Sequence, residues 1–136
     1  MIDITRTFRF AAAHRLHSEQ LSAEENRRVY GKCNYEHGHG HNYTLQVTIT
    51  GEIDPLTGML MNLWDLDAVV REHLYNEVDH RHLNHDVPFL KEINPTVENL
   101  AVAFWKRLEG KMPAGIRLKR VRLIENHHNH ADYYGT

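Results

Sequence analysis

Two segments near the start of the chain alternate apolar and polar residues. The first covers residues 2–10, with the sequence IDITRTFRF, and the second runs from His41 to Gly51. A period of two residues is typical of a β-strand that buries one of its faces. We therefore predict two half-buried strands, and the buried face of the second carries Tyr43, Leu45, Val47 and Ile49.

A short helix is predicted between these two strands. Ser22 and Glu25 have the spacing of a capping box, in which each side chain accepts a hydrogen bond from the backbone of the other residue. Gly31 follows closely, and glycine commonly ends a helix. The helix is therefore expected over residues 22–29.

Two longer helices are predicted further along the chain. Asp65 is the predicted N-cap of a helix over residues 66–78, whose apolar residues recur at helical spacing. The next helix starts at Pro95 and Thr96, and Gly110 is its predicted C-cap. Each of these helices has one apolar face, which a sheet or another helix must cover.

Two further strands are predicted at residues 116–125 and 131–134. Apart from the short helix, the order is strand, strand, helix, helix, strand, strand, which suits an α+β protein. We expect a four-stranded antiparallel sheet with two helices packed on one face, forming a single domain over residues 1–136. The histidine-rich run at 127–130 is interpreted as an exposed turn between the last two strands.

Composition narrows the class of protein. The chain has 136 residues, of which 41% are hydrophobic and 25% charged, the balance of an ordinary globular protein. Sixteen basic and eighteen acidic residues give a net charge of −2, which argues against nucleic acid or an anionic membrane as a partner. Neither a membrane-spanning run nor a signal peptide is recognised, and the single cysteine excludes an internal disulfide. We expect a cytoplasmic protein.

Twelve histidines are an unusual number for this length. His39 and His41 lie two residues apart at the start of the second strand, so their side chains point to the same side. His14 follows the first strand and can join them if the two strands pair. Three neutral imidazoles leave one coordination position of Zn²⁺ open, which is typical of catalytic zinc sites. His37 is an alternative ligand, and a solvated loop that binds metal adventitiously is the alternative interpretation.

Other reactive side chains have both an ordinary and a functional interpretation. Cys33 is either a small buried residue or a general base beside a metal-bound substrate. Asp79 and His80 are neighbours that can form an acid–base pair. Glu98 lies in the first turn of a predicted helix, where the helix dipole favours a carboxylate. Glu125 ends a strand, where an acid is either exposed or used, and its carboxylate can accept two parallel hydrogen bonds from the amino and ring N–H edge of a guanine-like or pterin ring.

These motifs together resemble the 6-pyruvoyl-tetrahydropterin synthase family over nearly the whole chain. They occur in the family's order: FAAAH ending at His14, Cys33, HGHNY starting at His39, Asp79 with His80, TVENL starting at Thr96, and Glu125. The resemblance implies the T-fold. It also implies trimers around a barrel, which pair into a homohexamer with active sites between subunits.

The resemblance further implies a zinc-dependent lyase that acts on the side chain of a pterin triphosphate and needs no redox cofactor. The substrate implied is 7,8-dihydroneopterin triphosphate. By matching motif, the resemblance implies that the zinc ligands are His14, His39 and His41. It implies that Cys33 is the base, with a proton relay through Asp79 and His80 of a neighbouring subunit. The residues implied to line the pterin pocket are Glu125, Glu98 and Thr96.

Two departures from the simplest motif leave the product open. Glu36 stands three residues before His39, where some relatives use a glutamate to cleave dihydroneopterin to 6-hydroxymethyl-dihydropterin, towards folate. Cys33 also stands four residues before His37, a spacing typical of the 6-carboxy-tetrahydropterin synthases of queuosine biosynthesis. We prefer the longer spacing, since His39 and His41 lead directly into the strand. A non-catalytic zinc buffer is the alternative from a different class.

Overall fold

The computed structural model describes all 136 residues and contains one five-stranded sheet. Its strands are β1 (Ile2–His14), β2 (His39–Gly51), β3 (Arg81–His82), β4 (Arg117–Asn126) and β5 (Asn129–Tyr133), in the spatial order β3-β1-β2-β4-β5. The α+β class is confirmed, but the sheet has one strand more than the four predicted. The additional strand, β3, pairs parallel with β1 and is too short to show a periodic pattern in the sequence.

β1 and β2 pair antiparallel over their whole length, from Ile2 opposite Gly51 to His14 opposite His39. Both strands were predicted, but each extends further towards the histidines than expected, and His14 belongs to β1 instead of following it. The ladder is built from backbone hydrogen bonds, so it continues through the three alanines before His14, where the apolar–polar alternation fades.

α1 (Ala23–Tyr30) has the predicted capping box. The Ser22 hydroxyl accepts a hydrogen bond from the Glu25 backbone, and the Glu25 carboxylate accepts one from the Ser22 backbone, both at 3.1 Å. Gly31 ends the helix with a φ of +55°, as its position in the sequence predicts. A 3₁₀-helix (Gly31–Asn34) follows directly and was not predicted.

α2 (Leu63–Val70) continues through a π-helical segment (Arg71–Tyr75) into a last turn (Asn76–Val78). Its N-cap is Asn62, whose side-chain oxygen accepts a backbone hydrogen bond at 2.9 Å. The prediction of Asp65 as the N-cap was wrong by three residues, because the Asp65 backbone already donates to the Asn62 carbonyl inside the first turn. The predicted apolar face is buried through Leu66, Val70, Leu74 and Val78.

α3 (Val97–Leu108) begins where Pro95 and Thr96 indicate. Thr96 is the N-cap, and its hydroxyl accepts a backbone hydrogen bond from the first turn at 3.1 Å. The C-cap is Glu109 instead of Gly110. Gly110 lies one residue beyond it with a φ of +76°, the left-handed conformation that follows many helices.

The end of the chain forms the antiparallel pair β4–β5, as predicted. β5 starts at Asn129, two residues earlier than expected, so the exposed turn contains only His127 and His128. The pairing has a bulge between Ile124 and Asn126, where β4 has one residue more than β5. A bulge of this kind redirects the side chain of the extra residue.

One hydrophobic core lies between the sheet and the helices α2 and α3. β2 contributes the four residues predicted to be buried: Tyr43, Leu45, Val47 and Ile49. Burying a large apolar side chain contributes about 1.5–3 kcal/mol, so this packing fixes the ends of β1 and β2 firmly. None of the helices has the length and apolar character that crossing a membrane requires.

Candidate metal centre and active site

Three histidines form a cluster where β1 ends and β2 begins, beside the core. His14 lies opposite His39 in the ladder, and His41 lies two residues further along β2 on the same face. The ring centroids are 4.6 to 5.0 Å apart, and one ligand nitrogen from each ring lies within 4.8 Å of the others. The sequence predicted that His39 and His41 share one face of a strand and that strand pairing brings His14 beside them. The structure has this arrangement.

Hydrogen bonding fixes the tautomer of His14. Its side chain is 1% exposed, and Nδ1 lies 2.8 Å from the carbonyl oxygen of Pro95, which can only accept. Nδ1 therefore carries the proton and Nε2 presents a lone pair to the cluster. The hydroxyl of Tyr43 lies 3.3 Å from the same Nδ1, and the two rings are nearly perpendicular.

The cluster fits a metal ion. The Nε2 atoms of His14 and His39 lie 3.1 Å apart, and Nε2 of His41 is buried without a hydrogen-bond partner. Two nitrogens bound to one tetrahedral zinc at about 2.0–2.1 Å lie roughly 3.3 Å apart, close to the first of these separations. A cation that accepts these lone pairs satisfies nitrogens that the protein leaves unpaired.

Burial keeps the cluster in the form that binds metal. It lowers the pKa of His14 to about 4, because the charged ring is excluded from water. Burial and the neighbouring His41 also lower the pKa of His39. Neutral imidazole is the state that a metal requires of a histidine ligand.

His37, the alternative ligand, lies outside the cluster. It is exposed on the turn before β2, and its ring packs against Tyr35 at 5.4 Å. Gly38 follows with a φ of +81°, and a Cβ there would lie 2.9 Å from the carbonyl oxygen of His14. Glycine is therefore required where the turn passes the end of β1.

Glu125 lies beside the histidines because of the bulge in β4. It is the residue without a partner in β5, and its Oε2 lies 4.0 Å from Nε2 of His14. Oε1 accepts a hydrogen bond from the Asn129 side chain at 3.2 Å. One carboxylate oxygen is thus held by the protein, while the other faces the cluster.

Cys33 lies in the 3₁₀-helix (Gly31–Asn34) and is half-buried. Its carbonyl oxygen accepts a hydrogen bond from the Leu16 backbone at 2.8 Å, which ties this helix to the residues just after His14. Burial, Glu125 and Cys33 together raise the pKa of the Tyr43 hydroxyl, which lies 3.3 Å from Nδ1 of His14.

Asp79 and His80 form the acid–base pair that their adjacency allows. Nδ1 of His80 lies 2.9 Å from Oδ1 of Asp79, and the same oxygen accepts the Ala11 backbone N–H at 3.1 Å. Burial raises the pKa of Asp79, but the hydrogen bonds from Ala11 and His80 outweigh it and lower that pKa. The aspartate is therefore ionised and orients the ring.

The backbone of His80 is strained. It is the only non-glycine residue with a positive φ, at +61°, and its N–H donates to the Ala11 carbonyl at 2.6 Å. Such conformations cost about 1–3 kcal/mol and are enriched at functional sites. The side chain is 79% exposed and forms no hydrogen bond with Cys33 of the same chain.

The side chains of Thr96 and Glu98 make no hydrogen bond with the histidine cluster. The Thr96 hydroxyl is occupied in capping α3, and Glu98 is exposed in the first turn without a hydrogen-bond partner. The preceding residue, Pro95, binds His14 through its carbonyl. The start of α3 thus supports the histidine cluster, while the Thr96 hydroxyl caps the helix and Glu98 is exposed.

Sequence reasoning missed several supporting residues. Pro95 and Tyr43 position His14, but neither shows a signal in the sequence beyond its role as helix start or core residue. Asn129 holds Glu125 across the β4–β5 bulge, which no local pattern predicts.

Comparisons with known proteins agree with this geometry. A family model described as 6-pyruvoyl tetrahydropterin synthase matches residues 3–136. The 6-pyruvoyl tetrahydrobiopterin synthase of Poecilia reticulata is 47% identical over 132 residues, covering 97% of this chain and 89% of that protein. The dihydroneopterin monophosphate aldolase of Pyrococcus furiosus is 36% identical over 91 residues, covering 67% of this chain and 73% of that protein.

The fold agrees as well. The structure of 6-pyruvoyl tetrahydropterin synthase from Caenorhabditis elegans superposes with a TM-score of 0.91 at 40% identity, covering 99% of this chain and 96% of that chain. The T-fold that the motifs imply is therefore confirmed. The chain belongs to the 6-pyruvoyl tetrahydropterin synthase family.

Proposed function

We propose that this protein is a zinc-dependent lyase that converts 7,8-dihydroneopterin triphosphate to 6-pyruvoyl-tetrahydropterin, with loss of triphosphate. The observation that carries the proposal is the buried cluster of His14, His39 and His41, with a carboxylate oxygen of Glu125 4.0 Å from His14. The names of its relatives support the same reaction, since they are 6-pyruvoyl tetrahydrobiopterin synthases.

Zinc suits the three imidazoles, because nitrogen ligands in a three-histidine set leave one position open for substrate. When bound, zinc supplies a Lewis acid that polarises the hydroxyl groups of the substrate's side chain. The chain's part is to keep its ligands neutral and oriented. The Pro95 carbonyl does this for His14 by holding the proton on Nδ1.

Glu125 is the proposed anchor of the pterin ring. An ionised carboxylate accepts two parallel hydrogen bonds from the amino and ring N–H groups of a pterin. Its bond from Asn129 restrains the side chain before substrate arrives, which reduces the entropy lost on binding. Thr96 and Glu98 are proposed to line the same pocket once a second subunit completes it.

Cys33 is the proposed base that takes a proton from the side-chain carbon of the substrate, and no redox cofactor is needed for this internal proton transfer. Asp79 holds the proton of His80 on Nδ1, which leaves Nε2 of His80 as the proton-exchanging atom. The exposure of His80 supports action on the Cys33 of a neighbouring subunit. We therefore include a homohexamer, built as a dimer of trimers, in the proposal.

The reaction is tested by incubating the zinc-loaded protein with 7,8-dihydroneopterin triphosphate without oxygen. We expect release of triphosphate and a product with the mass of 6-pyruvoyl-tetrahydropterin, without acetaldehyde. Acetaldehyde together with a carboxy-pterin would instead identify a 6-carboxy-tetrahydropterin synthase. Absence of all these products would overturn the proposed reaction.

The second candidate reaction is cleavage of the side chain of dihydroneopterin by an aldolase. Glu36 is exposed on the turn before β2, and a relative that matches much of the chain is a dihydroneopterin monophosphate aldolase. In this alternative Glu36 is the base and the product is 6-hydroxymethyl-dihydropterin. Cys33→Ala and Glu36→Gln separate the two, since formation of 6-hydroxymethyl-dihydropterin that survives in Cys33→Ala and is lost in Glu36→Gln assigns the base to Glu36.

A further inference from the structure

Four asparagine side chains hold the backbone of the four residues that follow His14. Residues 15–18, here called the hub segment, have no regular secondary structure, yet each of their N–H groups donates a hydrogen bond. One asparagine binds each residue in turn: Asn84 binds Arg15, Asn34 binds Leu16, Asn94 binds His17 and Asn26 binds Ser18, at 2.8, 2.7, 3.2 and 2.8 Å. The hub segment is therefore fixed by side chains where a strand would be fixed by its neighbours.

The hub segment starts from a fixed residue. His14 precedes it as the last residue of β1, and Nδ1 of its buried ring lies 2.8 Å from the Pro95 carbonyl oxygen. Asn94, next to Pro95, accepts the His17 N–H. The turn that holds the ring of His14 thus also holds the hub segment, and this sets the hub segment's position relative to the histidine cluster.

The same segment holds the backbone of Cys33. The Leu16 N–H donates to the Cys33 carbonyl at 2.8 Å, and Nδ2 of Asn34 donates to the Leu16 carbonyl at 2.7 Å. Nδ2 of Asn34 also lies 3.0 Å from Nδ1 of His17, and Nε of Arg15 donates to the Asn34 carbonyl at 3.0 Å. Four hydrogen bonds therefore join the hub segment to the last two residues of the 3₁₀-helix (Gly31–Asn34).

We propose that Asn34 is a positioning residue, which holds Cys33 in place relative to the histidine cluster by tying the 3₁₀-helix to the hub segment. The inference rests on the role of Cys33 as the base proposed above. A base must lie within hydrogen-bond reach of the proton that it takes, so a small displacement lowers the rate of the chemical step. Asn34 is 8% exposed, so water does not readily replace its bonds when they are lost.

The test compares Asn34→Ala with Asn26→Ala, which is the matched control. Asn26 is fully buried, and its side chain both accepts the Ser18 N–H and donates to three backbone carbonyls. Its truncation therefore breaks at least as many buried hydrogen bonds of the hub segment. Asn26 lies in α1, however, which carries none of the proposed site residues. Asn34→Ser retains a hydroxyl donor and is the milder variant if Asn34→Ala does not fold.

The first measurement does not depend on the proposed reaction. Cys33 is the single cysteine, so the rate of alkylation by iodoacetamide in the zinc-loaded protein reports on this thiol alone. Asn34→Ala should react roughly tenfold faster, because the 3₁₀-helix that half-buries Cys33 opens more often. Asn26→Ala should react at the rate of the unaltered protein. An equal rise in Asn26→Ala would reduce the effect to general destabilisation and overturn the inference.

The second measurement is the steady-state kinetics with 7,8-dihydroneopterin triphosphate. Asn34→Ala should have a kcat lower by about tenfold, with a KM within about twofold and an unchanged zinc content, because the base is displaced while the substrate is still bound. Asn34→Ser should lie between Asn34→Ala and the unaltered protein. A raised KM with a normal kcat would overturn the inference, since Asn34 would then support binding of the substrate.

The positioning role and the proposed function fail separately. Unchanged alkylation and unchanged kcat in Asn34→Ala, in an enzyme that turns over the pterin triphosphate, would overturn the role of Asn34 and leave the function standing. Faster alkylation in Asn34→Ala but not in Asn26→Ala, in a protein that turns over no pterin triphosphate, would overturn the function. The hold of Asn34 on Cys33 would still be supported.

Discussion

His14 and His39 are opposite residues in the last pair of the β1–β2 ladder, and their Nε2 atoms lie 3.1 Å apart. Opposite residues of an antiparallel pair have Cβ atoms only about 4.5–5.5 Å apart, so the sheet itself brings the two rings together. His41 joins them because it lies two residues along the same face. The cluster is thus set by backbone register and does not depend on a flexible loop.

The first prediction concerns metal content. The unaltered protein should contain about one zinc ion per chain, and His14→Ala should contain almost none, since a three-ligand site cannot lose one ligand and keep its affinity. Inductively coupled plasma mass spectrometry measures this directly. The matched control is His37→Ala, in the exposed turn, which should retain its zinc. Several zinc ions per chain, unaffected by His14→Ala, would favour the zinc buffer.

The second prediction concerns Glu125. Glu125→Gln keeps the shape of the side chain but replaces one acceptor oxygen by an NH₂ group that faces a donor on the pterin. Neopterin binding should weaken by about tenfold to a hundredfold, because a charged acceptor is lost, while the zinc content stays the same. Fluorescence titration gives the affinity. Glu92→Gln, at an exposed glutamate without an ion pair, is the control, and an equal loss there would contradict the role of Glu125.

The third prediction concerns shared active sites. Cys33→Ala and His80→Ala should each be inactive alone. If each site takes Cys33 from one subunit and His80 from another, co-refolding equal amounts of the two variants should restore about a quarter of the full activity. Light scattering should give a mass of about six times 15.9 kDa for the assembly. No recovery in a mixed hexamer would mean that both residues act within one chain.

The sequence predicted the regular parts of this site and missed the irregular ones. Alternation places His39 and His41 on one face of β2, and pairing with β1 brings in His14, so the histidine cluster follows from strand parity. Glu125 reaches that cluster only through a bulge. A bulge changes which way a side chain points without leaving a periodic signal, so the position of Glu125 required the structure.

Helix boundaries show a similar division. Ser22 and Glu25 specify the start of α1 because the capping box is a local interaction. Asn62 and Asp65 are both acceptable N-cap residues, and the choice between them depends on how the apolar face of α2 meets the core. The positive φ of His80 likewise depends on its hydrogen bond to β1, which lies far away in the sequence.

The fourth prediction concerns acid stability and rests on the pair formed by Arg122 and Asp132. Two hydrogen bonds, at 2.6 and 2.8 Å, join β4 to β5, and both side chains are less than a third exposed. The hydrogen bond from Arg122 lowers the pKa of Asp132 below its usual value. Because the folded-state pKa is lowered, the pair stabilises the fold above the unfolded pKa of about 3.9. This stabilisation is lost as the pH falls through the folded-state pKa.

Asp132→Asn should therefore lower the free energy of unfolding by about 1 kcal/mol at pH 7, the size expected of a partly buried, two-point ion pair. At a pH below the folded-state pKa of Asp132 the difference between the two proteins should vanish, since the aspartate is then neutral in both states. Urea denaturation at a fixed protein concentration measures both values. Glu92→Gln removes an unpaired carboxylate and should leave the unfolding free energy unchanged at both pH values. A difference for Asp132→Asn that persists in acid would mean that the substitution acts through packing and not through charge.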